Sequence, residues 1–326
     1  MRCRVCHHTQ DNQLYYVREM MHGTKERFAY FQCFQCRCLQ IAEFPGDMTL
    51  YYPPDYIGFN AHNPQYTARF GIPLWANTMD FDLIEDVLHA PPGTFGGRRQ
   101  LAKLLMERAV EHYLPQIKGN GQVRILDVGC GSGELLFDLY EIGFQHTLGI
   151  DLFIEQPIVY SNGVRVIKGT IEEVEPAWDV IMFHHAFEHI PDPLRTLQAI
   201  AKLLSSLGVC LIRIPIVPSY VWKTYGPDWV QLDAPRHFFL HSVQSMTILA
   251  ERAGLRLEKV LYDSNLTQFC GTLQYRQDIP LFCERSYLVD PQNSIFTEAE
   301  VVIFWEEARL LNKMGQGDQA AFYLRK

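Results

Sequence analysis

Residues 123–136, with the sequence VRILDVGCGSGELL, decide the fold of this chain. Their apolar run, rich in β-branched residues, predicts a buried parallel strand with Asp127 near its carboxyl end. Three alternating glycines, Gly129, Gly131 and Gly133, come next, and an apolar helical pattern follows them. Glycines at this spacing allow a sharp turn from strand to helix and let a ligand lie directly against the backbone. The stretch therefore predicts an α/β fold that binds a nucleotide-like ligand at this turn.

Three later strands each run into polar residues, as expected where the carboxyl ends of parallel strands surround a ligand. The acid at Asp151 can accept hydrogen bonds from both hydroxyls of a ribose. The strands are 147–151, 164–169 and 178–183, and the residues that end or follow them are Asp151, Thr170-Ile171-Glu172 and HHAFEHIPDP at 184–193. Four segments agree in order and spacing, and this agreement disfavours an unrelated Rossmann-like nucleotide binder.

The G-x-G-x-G spacing, with an acid two residues before the first glycine, resembles motif I of class I S-adenosylmethionine (SAM) dependent methyltransferases. Segment 184–193 resembles their motif IV, commonly D-x-x-x-x-x-H-x-L-E-H-x-x-D-P. The resemblance implies a Rossmann-like class I methyltransferase sheet, mostly parallel with an antiparallel last strand, and SAM as cofactor. The residues that it places at SAM are Asp127, Gly129, Cys130, Gly131, Gly133, Asp151, Leu152, Ile171, Glu172 and His184.

Composition limits the class of protein. The chain has 326 residues, is 48% hydrophobic and carries a formal net charge of −8. This charge disfavours a broad phosphate-binding surface, because nucleic-acid binders usually carry a basic footprint. No stretch approaches ~18 consecutive apolar residues, and the N-terminus shows no apolar signal region. We therefore expect a cytoplasmic protein without a membrane partner.

Two C-x-x-C pairs near the N-terminus predict a metal site. Cys3 and Cys6 form the first pair, and Cys33 and Cys36 form the second. Two such turns complete a tetrahedral site for Zn²⁺, and four cysteines leave no open coordination position, so the zinc would be structural. The residues between the pairs predict a β-hairpin, which completes the layout of a zinc ribbon. A disulfide scaffold and a redox pair are the less favoured alternatives.

The sequence divides into three predicted regions. The last segment, 318–324, is expected to be the antiparallel strand of the sheet. The pattern of apolar residues at 97–117 predicts an amphipathic helix. The regions are a zinc ribbon at 1–45, a linker with a helical cap at 46–118, and a methyltransferase domain at 119–326 with an insertion at about 263–312.

Polar residues after the fourth strand are the predicted catalytic group. Methyl transfer to a hydroxyl or a carbon acid requires removal of a proton, and a histidine titrates in the right range. We predict His189 or His185 as the base, with Glu188 orienting one of them. In the structural alternative, Glu188 and His189 begin a helix and the carboxylate satisfies the helix dipole.

A second predicted acceptor segment follows the fifth strand and includes Pro235-Arg236-His237. Similar ribbon-bearing methyltransferases often carry a P-R-H-x-x-x-x-S segment at this place, which makes His237 a further catalytic candidate. Arg236 and His237 can bind an anionic or hydroxylated acceptor, or they can form a buried ion pair with Asp233. Both alternatives remain open at the level of sequence.

These features favour methyl transfer to an oxygen or carbon of a small molecule. A sugar or nucleotide-linked sugar is the acceptor suggested by analogy with methyltransferases that carry a similar ribbon. The alternative is a tRNA or rRNA methyltransferase whose mildly basic ribbon grips RNA. The overall charge disfavours it, as does the lack of an N/D-P-P-Y/F tetrapeptide after the fourth strand. A non-catalytic binding module is disfavoured by the intact glycine turn and Asp151.

Overall fold

The structure is a computed structural model that describes residues 1–52, 120–141 and 143–326. The predicted helix 97–117 and most of the predicted linker 46–118 lie outside these residues. Within the described residues the chain forms two β-sheets. None of the helices in this part of the chain is both long and apolar enough to cross a bilayer.

The described strands and helices are numbered separately in chain order. The strands are β1 (Gln13–Arg18), β2 (Arg27–Gln32), β3 (Leu39–Ile41), β4 (Arg124–Val128), β5 (His146–Asp151), β6 (Ile158–Val159), β7 (Arg165–Lys168), β8 (Trp178–His184), β9 (Leu204–Pro215), β10 (Phe239–Leu240), β11 (Arg256–Tyr262) and β12 (Gln319–Arg325). The helices are α1 (Glu134–Glu141), α2 (Pro193–Leu203), α3 (Tyr220–Tyr225), α4 (Val243–Arg252), α5 (Thr267–Arg276) and α6 (Glu298–Lys313).

The larger sheet has eight strands in the order β11-β12-β9-β8-β4-β5-β7-β6. Strands β9, β8, β4, β5 and β7 run parallel, and β12 lies antiparallel between β9 and β11. The strand order reverses at β4, whose neighbours are β5 and β8. Ligands bind at such a reversal in open α/β sheets, beyond the carboxyl ends of the strands. The predicted class I sheet with an antiparallel last strand is confirmed.

Local signals explain where the elements near the site begin. Asp192 caps α2 by accepting from Arg195 N, and Pro193 occupies the first helical position, where its missing N–H costs nothing. The prediction that Glu188 and His189 begin a helix is therefore wrong. They lie in a separate 3₁₀ turn at 187–189, ahead of the capping residue.

The boundary between α2 and β9 also differs from the prediction. The residues Ser-Ser-Leu-Gly at 205–208 predict the end of a helix over 194–204, ahead of a strand at 209–214, but β9 already begins at Leu204, directly after the helix. Leu204 is the register partner of Trp178 on β8, so pairing with the neighbouring strand holds these residues extended. Tertiary pairing outweighs their turn-like composition.

The smaller sheet joins the N-terminal region to the rest of the molecule. Its order is β1-β2-β3-β10, so a hairpin and a short third strand are continued by a strand from the segment after β9. The pairs across that junction are Phe239 with Gln40 and Leu240 with Leu39. Buried side chains from both sheets belong to one continuous hydrophobic cluster. The predicted ribbon therefore shares a sheet with the segment that follows β9.

The region 263–312, which the sequence predicts as an insertion, contains α5 and most of α6. Thr297 and Glu300 form a capping box at the start of α6. Residues after α5 contact the N-terminal region, because Leu281 N donates to Met20 O at 2.9 Å. This part of the chain thus packs beside the hairpin of β1 and β2.

Candidate active site

The turn after β4 depends on glycines in left-handed backbone conformations. Gly129 has φ +72° and its N–H donates to Ile150 O at 2.8 Å. A Cβ on Gly129 would lie 2.5 Å from the Cβ of Ala186, in the segment after β8. A Cβ on Gly133 (φ +82°) would lie 2.5 Å from Val166 Cγ2. The turn is therefore packed too closely on both sides for any side chain at these two positions.

Cys130, between the glycines, turns its thiol toward the sheet. A Cβ on Gly149 of β5 would lie 2.5 Å from Cys130 Sγ, so the missing side chain of Gly149 makes room for this sulfur. Burial raises the pKa of the Cys130 thiol well above its usual range. The thiol is a packing group, and only the backbone of Cys130 remains for a ligand.

Asp151, at the end of β5, holds the glycine turn in place. Gly131 N donates to its Oδ2 at 2.9 Å, and Phe153 N donates to its Oδ1 at 2.8 Å. The carboxylate is buried, yet each oxygen keeps a second lone pair that can accept from a ligand. The side chain is thus preorganised at the point where the sequence predicts ribose hydroxyls.

Asp127 lies buried beside this carboxylate. Burial, with a smaller contribution from the charge of Asp151, raises the pKa of Asp127 to about 8. Its Oδ1 has no hydrogen-bond partner. A buried acid without a partner is costly, and a cationic or hydroxyl-bearing ligand would supply what is missing.

The remaining residues predicted to bind the cofactor lie near the carboxyl ends of β5, β7 and β8. Leu152 is exposed and Ile171 is buried. Glu172 pairs with Arg195 of α2 at 3.0 Å. His184 ends β8, and its buried Nδ1 has no partner. Burial, followed by the charges of Arg213 and His185, lowers the pKa of His184 to about 3, so the ring is neutral.

Glu188 is the centre of the histidine cluster. Its side chain is 0% exposed, and within the described part of the chain neither of its oxygens has a hydrogen-bond partner of good geometry. The nearest basic atoms are His185 Nδ1 at 3.4 Å and His237 Nε2 at 3.8 Å. Burial raises the pKa of Glu188, but the hydrogen bond from His185, together with the positive charge that His189 and His237 carry when protonated, outweighs burial and brings the pKa to about 2. The buried group is therefore a carboxylate.

His185 is held between two charged groups. An Arg213 amino group donates to its Nε2 at 2.9 Å, so Nε2 must be the acceptor and Nδ1 must carry the proton that faces Glu188. Arg213 also pairs with Asp263. Because its only lone pair is already engaged, His185 lacks a free atom that can take a proton.

His189 and His237 have the opposite arrangement. His189 Nδ1 donates to Arg236 O at 2.9 Å, and His237 Nδ1 donates to Gln231 O at 2.8 Å. A carbonyl can only accept, so both protons lie on Nδ1 and both Nε2 lone pairs are available. The rings meet edge to face, with centroids 4.7 Å apart. The candidate ligand atoms of Glu188, His189 and His237 all lie within 4.8 Å of one another.

Arg236 forms the buried ion pair that the sequence left open. Its Nε lies 3.0 Å from both oxygens of Asp233, and a terminal nitrogen donates to Glu19 in the N-terminal region at 2.8 Å. Asp233 Oδ2 is also 3.7 Å from His237 Nε2. Arg236 is therefore a structural cation that fixes the segment carrying His237.

Tyr52 belongs to the aromatic run 51–56, whose sequence predicts either packing of the ribbon onto the core or a wall of the substrate pocket. Tyr52 stacks on Phe153, with ring centroids 5.1 Å apart, and its hydroxyl lies 3.0 Å from His189 Nδ1. The Tyr51-Tyr52 pair was the only signal for this contact. Trp222 and Trp229 have flat apolar faces of the kind on which sugar rings stack, but both are buried in the core.

The N-terminal cysteines come together as two turns. Cys3 Sγ lies 3.6 Å from Cys36 Sγ, and Cys6 Sγ lies 3.5 Å from Cys33 Sγ. All four sulfurs are within 4.8 Å of one another. The residue after each pair, His7 or Arg37, has a left-handed backbone with φ +65° or +63°, so the two turns have the same shape.

The environment of Cys3 favours a thiolate. A hydrogen bond from the Cys36 thiol is the largest contribution and, with others that include Gln40, lowers the pKa of Cys3 to about 4. Gln40 Nε2 lies 3.2 Å from Cys3 Sγ. The fifth cysteine of the region, Cys38, lies outside the four-sulfur group, 3.9 Å from His241 Nδ1.

Comparisons with known proteins identify the family to which this chain is similar. The model of a family described as a methyltransferase domain matches residues 97–260. A ubiquinone biosynthesis O-methyltransferase of Nitrosospira multiformis is 32% identical over 154 residues, which are 42% of this chain and 64% of that protein. A tRNA U34 carboxymethyltransferase of a Geobacter species is 29% identical over 155 residues, 44% of this chain and 48% of that protein.

A solved SAM-dependent methyltransferase from Archaeoglobus fulgidus is 19% identical, with a TM-score of 0.40, over 76% of this chain and 100% of that chain. Among the first curated relatives, the match spans between 42% and 64% of the relative's own length.

Proposed function

This chain belongs to the methyltransferase domain family and is a SAM-dependent methyltransferase, and we propose that it methylates an oxygen or carbon atom of a small molecule in the cytoplasm. The observation that carries the proposal is the cluster of Glu188, His189 and His237 beyond the carboxyl end of β8. It combines one buried carboxylate with two free imidazole lone pairs. A sugar or nucleotide-linked sugar is the first acceptor class to test, and a phenol is the second, because the relatives of known name include ubiquinone O-methyltransferases.

The residues around the glycine turn fit SAM. We propose that the backbone of Gly129 to Gly133 and the carboxylates of Asp127 and Asp151 hold it. Bound SAM supplies an electrophilic methyl group on a positively charged sulfur. Asp127 has an orphaned buried oxygen, and Asp151 has spare lone pairs, so both carboxylates suit a ligand with positive charge and hydroxyl donors. Leu152, Ile171, Glu172 and His184 complete the proposed binding surface.

The histidine cluster is proposed to bind the acceptor and favour loss of its proton. A hydroxyl that reaches Nε2 of His189 or His237 donates into a lone pair beside the Glu188 carboxylate. Negative charge there stabilises a positive charge that develops on an imidazole. His185 is removed from the proposed bases, because Arg213 already donates to its Nε2. Its proposed role is to orient Glu188.

A free arginine beside this cluster would compensate the negative charge of Glu188. Both neighbouring arginines, however, already pair with other carboxylates. Arg213 contacts Asp263, and Arg236 contacts Asp233 and Glu19. The cluster therefore keeps the negative charge of Glu188. Because this charge would repel an anion, the acceptor atom is expected to be a neutral hydroxyl or carbon acid.

We also propose that Cys3, Cys6, Cys33 and Cys36 hold a structural Zn²⁺. With Zn–S bonds of ~2.3 Å, a tetrahedral site has sulfurs about 3.8 Å apart. The Cys6–Cys33 and Cys3–Cys36 sulfur separations of 3.5 and 3.6 Å are close to that value. Gln40 Nε2 beside Cys3 Sγ is the kind of outer contact that orients a metal-bound thiolate.

The RNA alternative has one observation in its favour, the tRNA-directed relative from Geobacter. The formal charge of −8 does not favour it. A single assay separates the alternatives. Transfer of a labelled methyl group from SAM is measured to nucleotide sugars, free sugars, catechols and total tRNA. Transfer to a small molecule supports the proposal, and transfer to tRNA alone contradicts it.

Two substitutions test whether the cluster takes part in methyl transfer. His237→Gln and Glu188→Gln are each expected to lower kcat by about 10²–10⁴-fold, with the affinity for the demethylated cofactor unchanged in calorimetry. Glu258→Gln on β11, whose carboxylate contacts Arg256 at the surface, is the control and keeps full activity. Full activity in both cluster variants would exclude the cluster from the reaction.

A further inference from the structure

Glu188, His189 and His237 lie close together and carry ligand atoms of the kinds that bind metal ions. They come from two separate segments, the 3₁₀ turn after β8 and the loop before β10, and still bring their ligand atoms within 4.8 Å of one another. One is a carboxylate and two are imidazoles. This donor set suits divalent ions of the first transition row.

The tautomers of the two histidines are already those of metal ligands. Metal-binding histidines almost always donate their second ring N–H to a carbonyl or carboxylate, which fixes the ring and points the other nitrogen at the ion. Here the carbonyls of Arg236 and Gln231 receive the Nδ1 protons of His189 and His237. Both Nε2 atoms are left as donors of a lone pair to a cation.

The buried charge of Glu188 gives an independent indication. Its side chain is fully buried, and among the described residues its oxygens have only the long 3.4 Å contact with His185 Nδ1 and no hydrogen bond of good geometry, which is costly for a carboxylate. The arginines nearby serve other carboxylates, Asp263 for Arg213 and Asp233 with Glu19 for Arg236. Glu188 is therefore the member of this network that lacks a strong cationic partner.

We propose that Glu188, His189 and His237 bind one divalent transition-metal ion. In an octahedron with bonds of ~2.1 Å, neighbouring ligand atoms lie about 3.0 Å apart. Glu188 Oε1 and His237 Nε2 are 3.8 Å apart, and no pair in the set exceeds 4.8 Å. Movements of about 1 Å or less per side chain close the set around an ion. Three protein ligands leave open positions, as in catalytic metal sites.

The open positions give the ion a role that rests on the proposed function. When both Nε2 atoms bind the ion they no longer take up a proton, so the ion replaces the imidazoles as the group that activates the acceptor. An acceptor hydroxyl bound to the ion has a lower pKa and becomes an oxygen nucleophile when its proton leaves. The proton leaves to water at another open position of the ion, because Asp233, 3.7 Å from His237 Nε2, is already paired with Arg236. Acceptors with two neighbouring hydroxyls, such as a sugar diol or a catechol, fill two open positions at once.

Mn²⁺ is the probe, because carboxylate and imidazole ligands accept it while thiolates prefer softer ions. The full chain, with its native ribbon metal, is titrated with Mn²⁺, and the free ion is followed by electron paramagnetic resonance. One equivalent is expected to bind. Glu188→Gln and His237→Gln are each expected to weaken binding by more than about 100-fold. Asp278→Asn, an exposed carboxylate beside Arg18 and Lys25, is the matched control and leaves binding unchanged.

Folding is checked in each variant by its binding of the demethylated cofactor, which uses the glycine turn and not the cluster. Absence of Mn²⁺ binding by the parent protein overturns the proposal. Equal binding by the parent and both cluster variants also overturns it, because the ion would then lie elsewhere. Loss of binding in folded cluster variants supports it. If no acceptor is methylated while Mn²⁺ still binds at the cluster, the proposed function fails and the metal site stands.

Discussion

A terminal nitrogen of Arg236 donates to Glu19 at 2.8 Å, and both side chains are only 1% exposed. Glu19 lies in the loop between β1 and β2, whereas Arg236 directly precedes His237. The carboxylate of Glu19 also accepts from the N–H groups of His22 and Thr24. One buried ion pair therefore ties the N-terminal hairpin to the segment that carries a proposed acceptor-binding histidine.

Breaking this pair is expected to destabilise the whole protein. Glu19→Gln leaves Arg236 with an incompletely compensated buried charge and is expected to lower the free energy of unfolding by about 3 kcal/mol. Urea denaturation measures the change. Glu258→Gln, at an exposed pair, is expected to cost at most about 1 kcal/mol. Equal effects of the two substitutions would contradict a structural role for the Glu19–Arg236 pair.

The pair also predicts a loss of stability in acid. Burial raises the pKa of Glu19, but Arg236 and the two backbone N–H donors outweigh burial and hold the pKa below its usual value. A depressed acid contributes stability above its unfolded pKa and loses it as the pH falls through its folded pKa. Stability of the parent is therefore expected to fall below about pH 4.5, and Glu19→Gln is expected to flatten that dependence.

Asp127 predicts how cofactor affinity depends on pH. Its pKa of about 8 means that the ligand-free protein holds a proton there at neutral pH. A cationic ligand favours the carboxylate, so SAM binding is expected to release a proton and to strengthen as the pH rises from about 6 to 8. Calorimetry in buffers of different ionisation enthalpy measures the proton. Asp127→Asn should abolish this release, and an unchanged release would refute the assignment.

The raised pKa of Asp127 makes stability change with pH in the opposite direction from the lowered pKa of Glu19. An acid that is protonated in the fold contributes stability at low pH and loses it as the pH rises through its folded pKa. The ligand-free protein is therefore expected to lose part of its stability between about pH 4 and 8, and SAM is expected to restore it.

Gly129 predicts a steric limit in the cofactor turn. Gly129→Ala places a Cβ 2.5 Å from the Cβ of Ala186 and strains a backbone with φ +72°. We expect a loss of about 2–4 kcal/mol in stability, together with weakened SAM binding. Gly163→Ala is the matched control, since Gly163 also has a positive φ, +95°, but has open space around its Cβ position. Similar losses in both variants would show that backbone strain alone decides the effect.

The cysteine cluster predicts one equivalent of zinc per chain. Cys36→Ser is expected to release the metal and unfold the ribbon, because structural zinc sites couple binding to folding. Cys38→Ala is the control, since Cys38 lies outside the four-sulfur group and should keep the zinc. Elemental analysis of the purified proteins measures the metal. A metal-free parent with an intact N-terminal sheet would rule out the proposed site.

The sequence predicted the elements that are encoded locally. The strand predicted at 147–151 is observed at His146–Asp151, and the antiparallel strand predicted at 318–324 is observed at Gln319–Arg325. Alternating burial, glycine turns and caps depend on neighbours in the chain, so short windows contain the necessary information. The two errors, the start of the helix after β8 and the start of β9, were errors of boundary.

Contacts between distant residues were beyond the reach of the sequence. Arg236 and Glu19 are 217 positions apart, and nothing in either segment indicates the other. The engagement of His185 by Arg213 was likewise hidden, although a charged residue within the apolar strand Val209–Ile214 was a signal that a buried partner exists. Which histidine keeps a free lone pair follows from these contacts, so it required the structure.

The pairing of β3 with β10 also constrains how the protein is made. Leu39 and Gln40 leave the ribosome about 200 residues before their partners at 239 and 240, a delay of roughly 10–40 s at usual rates of synthesis. During that interval the outer edge of β3 presents unpaired N–H and C=O groups, which is the template that nascent chains use to aggregate. The N-terminal region is thus synthesised first, but the outer edge of its strand β3 is paired only after β10 has been made. A fragment that ends before residue 239 lacks the strand that closes this edge, so the ribbon is poorly suited to transplantation onto another enzyme.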